Sequence, residues 1–280
     1  MPFRFLAAFC LAIAQLSLTG NAQTLSSDCL AIAEGPARVQ FAKFIPAALA
    51  ENQVQLTFVG HSTFLIESSG GLRIATDFSG NAGGVVPDVI TMNRAHRSHY
   101  TPTPDPAIKN VLRGWNEDGS PAQHDVTIGD VHIRNVTTDI RGGTLGRVPD
   151  GNSIFVFEVA GLCIGHLGHL HHELTPAHIG QIGRLDVVLV PVDGGYTMPV
   201  VNMIQVLKDL KARIVIPMHY FGPETLSRFI ANVRGSFQLE MASSPVVIVS
   251  RENPAGGAEA DRAAGLLIWV NTMPFACASL

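Results

Sequence analysis

Positive charge and large aromatics are both scarce in this 280-residue sequence. Lys and Arg together number 19 against 23 Asp and Glu, with only 3 Tyr and 2 Trp. Without a basic excess there is nothing to neutralise a phosphate backbone, so nucleic acid is not expected as a partner. Charged residues make up only 15% of the chain and hydrophobic ones 46%, which excludes a disordered chain and a charge-rich coiled coil. No Gly-x-Ser-x-Gly occurs, so the nucleophile elbow of a Ser–His–Asp hydrolase is missing. Internal repeats and low-complexity tracts are missing too, and after the N-terminus no apolar run approaches the ~20 residues of a membrane span. What the sequence does have is histidine, 11 in all.

The N-terminus reads as a secretory signal peptide over residues 1–22. Arg4 precedes an apolar run from Phe5 to Leu18, and Gly20-Asn21-Ala22 offers small residues for cleavage. Phe9 before Cys10 is too bulky for a lipoprotein cleavage box, so no membrane anchor is expected after cleavage. The remaining protein is expected to be periplasmic or secreted. Export makes a disulfide possible. The termini of a domain often lie close together, so a Cys29–Cys277 bridge is one expectation and two free thiols the other. Cys163, inside the apolar run Gly161 to Ile164, reads as a core residue.

Residues 23–50 form a mixed lead, and no composition shift splits 51–280, which reads as a single domain. The pattern predicts antiparallel strands over 54–59, 63–67 and 72–76, then an apolar run over 86–92. Loops are predicted over 101–121 and 141–151, with strands over 125–128, 131–136, 153–159 and 162–165 between and after them. The second half alternates: helices over 176–182, 203–210 and 223–233, and strands over 186–191, 213–217, 245–250 and 266–270. Meanders followed by βα alternation suggest an α/β sandwich with helices outside.

Several strand runs end in a residue that binds metal or moves a proton: Asp77, the His96/His99 segment, His166 and His169, Asp193, and His219. Strand ends on one rim bring distant residues into one cleft. Neutral imidazoles gathered there suit Zn²⁺. His171 and His172 could extend the cluster, and His124, His132 and His178 read as surface residues. Of His61, a structural hydrogen bond is the preferred reading and a ligand role the other.

These landmarks resemble the metallo-β-lactamase superfamily, and within it the L-ascorbate-6-phosphate lactonase-like hydrolases. They are Phe58-Val59-Gly60-His61-Ser62-Thr63-Phe64-Leu65-Ile66-Glu67, Ile74-Ala75-Thr76-Asp77, Gly165-His166-Leu167-Gly168-His169, Pro191-Val192-Asp193-Gly194-Gly195-Tyr196 and Pro217-Met218-His219-Tyr220. The resemblance implies an αββα sandwich of two mixed β-sheets with outer helices and a metal site at one sheet edge. The family's His-x-His-x-Asp-His is altered here to Arg94-Ala95-His96-Arg97-Ser98-His99, and His169 stands where an Asp is usual. Arg94 cannot ligate, and without the two carboxylates a pair of ions lacks counter-charge. The resemblance therefore implies one zinc ion, or none, drawn to some of His96, His99, His166, His169 and His219. Asp77 and Asp193 are the candidate catalytic carboxylates, supporting the ligands or acting as a base. Arg94 and Arg97 are candidates for an anionic substrate group, or Arg94 fills the vacated pocket by pairing with Asp77 or Asp193.

The expected function is an exported hydrolase in which hydroxide generated on the ion attacks an ester, lactone, amide or phosphoester of a small molecule. The alternatives are a non-catalytic binding protein on the same fold and a metal buffer using His166, His169, His171 and His172.

Overall fold

The computed structural model describes residues 27, 29–30, 38–42, 49–142, 146–242, 244–252 and 265–270. The signal-peptide reading of 1–22 and Cys277 lie outside the described residues.

Fifteen strands and three helices follow in chain order among them. The first half holds β1 (Arg38–Ala42), β2 (Gln53–Gly60), β3 (Thr63–Ser68), β4 (Arg73–Ala75), β5 (Val89–Met92) and β6 (Asn110–Arg113). Then come β7 (Asp125–Ile128), β8 (Val131–Arg141), β9 (Arg147–Val159) and β10 (Leu162–His166). The second half holds α1 (Pro176–Ile182), β11 (Val187–Pro191), α2 (Val200–Asp209), β12 (Ile214–Met218), α3 (Pro223–Val233), β13 (Phe237–Ala242), β14 (Val246–Glu252) and β15 (Gly265–Val270).

Two mixed sheets result. One has the order β1-β14-β2-β3-β4-β5-β6, the other β13-β15-β12-β11-β10-β9-β8-β7. In the first, β2, β3 and β4 pair antiparallel and β4, β5 and β6 parallel. In the second, β7 to β10 pair antiparallel and β10, β11 and β12 parallel. Alternation along β3 to β5 explains the layering. Phe64, Ile66, Ile74 and Val89 enter the large core shared with the second sheet and with α2 and α3. Leu65, Ala75, Ile90 and Met92 face the other way, under Phe78, Ala82, Ile108 and Trp115 from loops. α1 begins where Thr175 caps it, accepting from the His178 N–H, with Pro176 following.

The structure corrects the sequence reading in several places. The predicted loop over 101–121 contains β6, a four-residue edge strand whose Asn-Val-Leu-Arg lacks an alternating apolar pattern. The predicted loop over 141–151 is partly strand, because β8 and β9 form a long hairpin with a register shift between Thr138 and Ile140. β1 and β13 were not anticipated.

The disulfide also differs. Cys163 is not a free core thiol but is bonded to Cys29, so neither a Cys29–Cys277 bridge nor two free thiols describes Cys29. Ser27 and Cys29 are anchored around this bond: Arg184 N–H donates to Cys29 O at 2.9 Å, and Ser27 hydrogen-bonds Glu158, which pairs with Arg134 at 2.9 Å. Closing so long a loop restrains the unfolded chain, so Cys29→Ala/Cys163→Ala is expected to cost about 2–4 kcal/mol. The melting temperature should fall by roughly 5–15 °C, as should that of the wild type in reductant. Equal melting curves with and without reductant would show that the bond adds nothing.

Candidate metal centre

Six chain segments meet at one rim of the sandwich: the β2–β3 turn and the segments after β4, β5, β10, β11 and β12. They deliver His61, Asp77, His96 and His99, His166 to His171, Asp193, and His219. The backbone is held tightly here. His219 N–H donates to His61 O at 2.7 Å, joining the two sheets. His61, Asp77 and His219 all have left-handed φ values of 52°, 41° and 54°. Such strain in non-glycine residues persists only where surrounding contacts over-determine the backbone.

Among the described residues, His61, His99 and His219 form a group able to hold a cation, with one nitrogen from each lying within 4.8 Å of the others. His99 Nε2 and His219 Nε2 are 3.1 Å apart. Two imidazole nitrogens on one tetrahedral zinc, at Zn–N of about 2.0–2.1 Å, stand about 3.3 Å from each other. Each of these two rings has a carboxylate behind it. Asp77 Oδ2 accepts from His99 Nδ1 at 2.5 Å, and Asp193 Oδ2 lies 3.6 Å from His219 Nδ1. A carboxylate on the far nitrogen fixes the tautomer and leaves the near nitrogen basic, the usual support of a metal-binding histidine. The donor set therefore fits one divalent cation of the zinc type. As ligands three imidazoles bring no charge of their own, so the two anions behind them balance one such ion and not two.

Asp77 is wholly buried, and its other oxygen accepts from Asn93 Nδ2 at 2.8 Å. Asn93 is in turn locked, because its Nδ2 also donates to Ser153 O at 3.2 Å and its Oδ1 accepts from Ser153 N–H at 2.7 Å. Burial pushes the Asp77 carboxyl up, but His166, His99 and Asn93 outweigh this and hold it below the usual carboxylate range. Asp193 takes hydrogen bonds from Thr197 N–H and Oγ1 at 2.9 and 2.7 Å on the oxygen that faces His219. Burial raises it, yet His219 and Thr197 bring it down to about 2. Both carboxylates are thus ionised and engaged with protein groups.

The other histidines differ in what their nitrogens do. His166 is fully buried; its Nε2–H donates to Ser62 O at 2.8 Å and its Nδ1 accepts from Gly168 N–H at 3.1 Å. Both nitrogens are engaged with backbone. His96 is exposed, its ring 4.8 Å from that of His169 and 6.2 Å from that of Tyr196. His169 is buried among the rings of His96, His99 and His219, each with its centroid 4.8 Å away, but lies outside the three-histidine group. Its backbone N–H is held by Asn152 Oδ1 at 2.7 Å. Its Nδ1 lies 2.6 Å from His171 Nε2, and its Nε2 is buried with no hydrogen-bond partner among the described residues. Burial and neighbouring charge keep these rings neutral: His61 is lowered to about 3 and His171 to about 4, and His96, His166 and His169 are lowered too. Neutral rings keep a lone pair for a cation.

Arg94 and Arg97 are exposed and make no ion pair among the described residues, so Arg94 does not fill the pocket. His124, His132 and His178 are half-buried rather than fully exposed, and each bonds locally: His124 to Arg113 O, His132 to Asp125, and His178 across the α1 cap. Sequence reasoning passed over Asn93, Asn152 and Arg141 and preferred a structural role for His61. Gly60-His61 at a turn was the available signal. The roof over the site is held by Arg141, whose Nη2 donates to the carbonyls of Gly195, Tyr196 and Thr197 at 2.7, 2.6 and 2.5 Å.

A family model described as the beta-lactamase superfamily domain matches residues 55–219. A UPF0173 metal-dependent hydrolase of Methanosarcina mazei is 24% identical over 194 residues, 60% of this chain and 83% of that protein. One of Thermoplasma volcanium is 27% identical over 187 residues, 60% and 83% of the two chains. Among solved structures, a Thermotoga maritima protein named for Zn-dependent hydrolysis in the metallo-β-lactamase superfamily superposes with a TM-score of 0.53 and 26% identity. That match covers 78% of this chain and 98% of the other. A Parabacteroides distasonis structure shares the fold at a TM-score of 0.52 and 17% identity, covering 65% and 88%.

Proposed function

Because the chain belongs to the beta-lactamase superfamily, we propose that it is a metal-dependent hydrolase holding one zinc ion between His61, His99 and His219. The observation that carries this reading is the 3.1 Å approach of His99 Nε2 to His219 Nε2, each ring backed by a buried carboxylate. The metal-dependent hydrolases among its relatives support it. When bound, the ion supplies Lewis acidity toward a carbonyl or phosphoryl oxygen and toward water.

The chain's own groups do the rest. Asp77 keeps a proton on His99 Nδ1, so that Nε2 faces the site as a lone pair. Asp193 Oδ2, 3.6 Å from His219 Nδ1, favours a hydrogen on that nitrogen electrostatically, which leaves Nε2 as the lone pair. Neither carboxylate has an oxygen free of protein partners, so both act by positioning rather than as a base. Arg94 and Arg97, exposed and flanking His96 in sequence, are the positive charges proposed to meet an anionic substrate. Tyr196 and Phe221, 62% and 58% exposed with centroids 5.2 Å apart, line the mouth beside His96 and His61 and offer apolar surface to the substrate. An ester, lactone, amide or phosphoester of a small anionic molecule is the substrate class proposed. Export to the periplasm or medium is proposed as well, supported by the Cys29–Cys163 disulfide, a bond at home in oxidising compartments. No helix among the described residues is long and apolar enough to cross a membrane.

The absence of a carboxylate from the three-histidine group favours one second reading, a binding protein that has kept the fold and lost catalysis. Metal analysis of chain purified without chelator or His-tag separates the two. About one zinc per chain is expected in the wild type and none in His99→Ala/His219→Ala. Hydrolysis of an ester, lactone and phosphodiester panel should be lost on chelation and return with zinc. A wild type that stays metal-free after zinc addition leaves the binding-protein reading.

A further inference from the structure

The hydrogen bonds around His169 determine which of its nitrogens carries hydrogen. The backbone N–H of Arg141 can only donate, and it donates to His171 Nδ1 at 2.6 Å. His171 Nδ1 is therefore unprotonated, and the neutral ring carries its hydrogen on Nε2. That Nε2 lies 2.6 Å from His169 Nδ1, which must then be the acceptor. A neutral His169 is left with its one hydrogen on Nε2. This atom is buried, lacks a partner among the described residues, and belongs to a ring standing 4.8 Å from the rings of both His99 and His219. A lone pair on Nε2 would require a hydrogen on Nδ1, in conflict with the one arriving from His171.

We propose that His169 is not a ligand of the cation but a fixed hydrogen-bond donor beside it, whose Nε2–H receives an oxygen of an anionic substrate group. Where a carboxylate would repel such an oxygen, the imidazole N–H donates a hydrogen bond to it. The relay from Arg141 through His171 fixes the donor before substrate arrives. A donor set in advance at the place where negative oxygen collects is the arrangement that stabilises oxyanions. His169 Nε2 also has an outstanding need for an acceptor, since an unmatched buried N–H is costly. His171 is a positioning residue here, acting through His169. The inference rests on the zinc reading for the neighbouring cation, but the tautomer assignment does not.

Three measurements test it on the full chain. ¹⁵N NMR of histidine side chains in the metal-free protein should show His169 as the Nε2–H form; the Nδ1–H form would overturn the inference whether or not zinc binds. Chelator competition should give His169→Leu and His169→Gln zinc affinities within about threefold of wild type, as expected if a ligand is not being removed. A tenfold or greater loss in both would make His169 a ligand and overturn the inference while leaving the zinc hydrolase reading intact. Titration with inorganic phosphate of the zinc-loaded proteins should show binding to wild type, a drop of about 10-fold or more in His169→Leu, and recovery in His169→Gln, whose amide N–H replaces the donor. Phosphate binding that ignores the Leu substitution, or is absent from wild type, would overturn the inference. Should His169→Leu fail to fold, the tautomer measurement and the Gln variant still decide.

Discussion

Asp77→Asn is expected to lower zinc affinity by about 10- to 100-fold, with hydrolysis falling in step. The direction follows from groups that cannot turn. Asn93 is fixed by two hydrogen bonds to the backbone of Ser153, so its Nδ2 continues to point at residue 77. An Asn at 77 must answer that N–H with its carbonyl oxygen, which leaves its own NH₂ facing His99 Nδ1, where Asp77 Oδ2 now accepts at 2.5 Å. His99 would relieve two opposed donors by moving its hydrogen to Nε2, and the lone pair aimed at the cation disappears. Chelator competition measures the affinity, and denaturant unfolding of the metal-free variant shows whether the fold survives. Wild-type affinity in a folded Asp77→Asn protein would mean that His99 does not bind the ion.

Gly168→Ala is the second substitution with a large expected effect, this time on the fold. A Cβ there would stand 2.3 Å from Asn152 Oδ1, 2.5 Å from Asn93 Nδ2 and 3.0 Å from Ser153 O, on a backbone at φ +60°. Neither amide can step aside. Asn152 holds Thr138 and the His169 N–H, and Asn93 holds Asp77. Left-handed strain and overpacking together should cost about 3 kcal/mol or more, a fall in melting temperature of roughly 10 °C. Gly195→Ala is the control: a Cβ there meets nothing within 4 Å, and its unfolding midpoint should stay close to that of wild type. A Gly168→Ala protein as stable as that control would show that the Asn93–Asn152 packing is more compliant than the distances imply.

Much of this arrangement could be read from sequence, and the parts that could not share a cause. The strands predicted over 186–191 and 213–217, and the Thr175-Pro176 helix start, rest on local patterns, and the structure has the strands at 187–191 and 214–218 and the helix at 176–182. The rim could be inferred because parallel strands end together, which placed Asp77, His99, Asp193 and His219 in one cleft. What each imidazole does there depends on partners far along the chain. His166 sits in the most conspicuous cluster of histidines, yet a carbonyl 104 residues away takes its Nε2–H. His61, for which the sequence favours a structural hydrogen bond, stands in its turn against His219, centroids 4.1 Å apart, because the two sheets are joined at that point. Asn93 and Asn152 carry no apolar or metal-binding signature, and only their hydrogen bonds show what they hold. Likewise, residue types alone do not say which cysteine lies nearest Cys29.

The disulfide has a consequence for how the protein withstands proteolysis. Its two cysteines are 134 residues apart and enclose strands β1 to β9, which is all of the first sheet except β14 together with β7, β8 and β9 of the second. Within that covalent ring lie the exposed stretches around Asp105 and Gly119, where a protease meets accessible backbone. A single cut there opens the ring without releasing a fragment. Asp77 and His99 would remain tethered to His219 through Cys29–Cys163, and the nicked molecule would keep its full mass until reduced. The durability of the candidate metal centre after proteolysis therefore depends on the redox state of its surroundings as well as on the number of cuts.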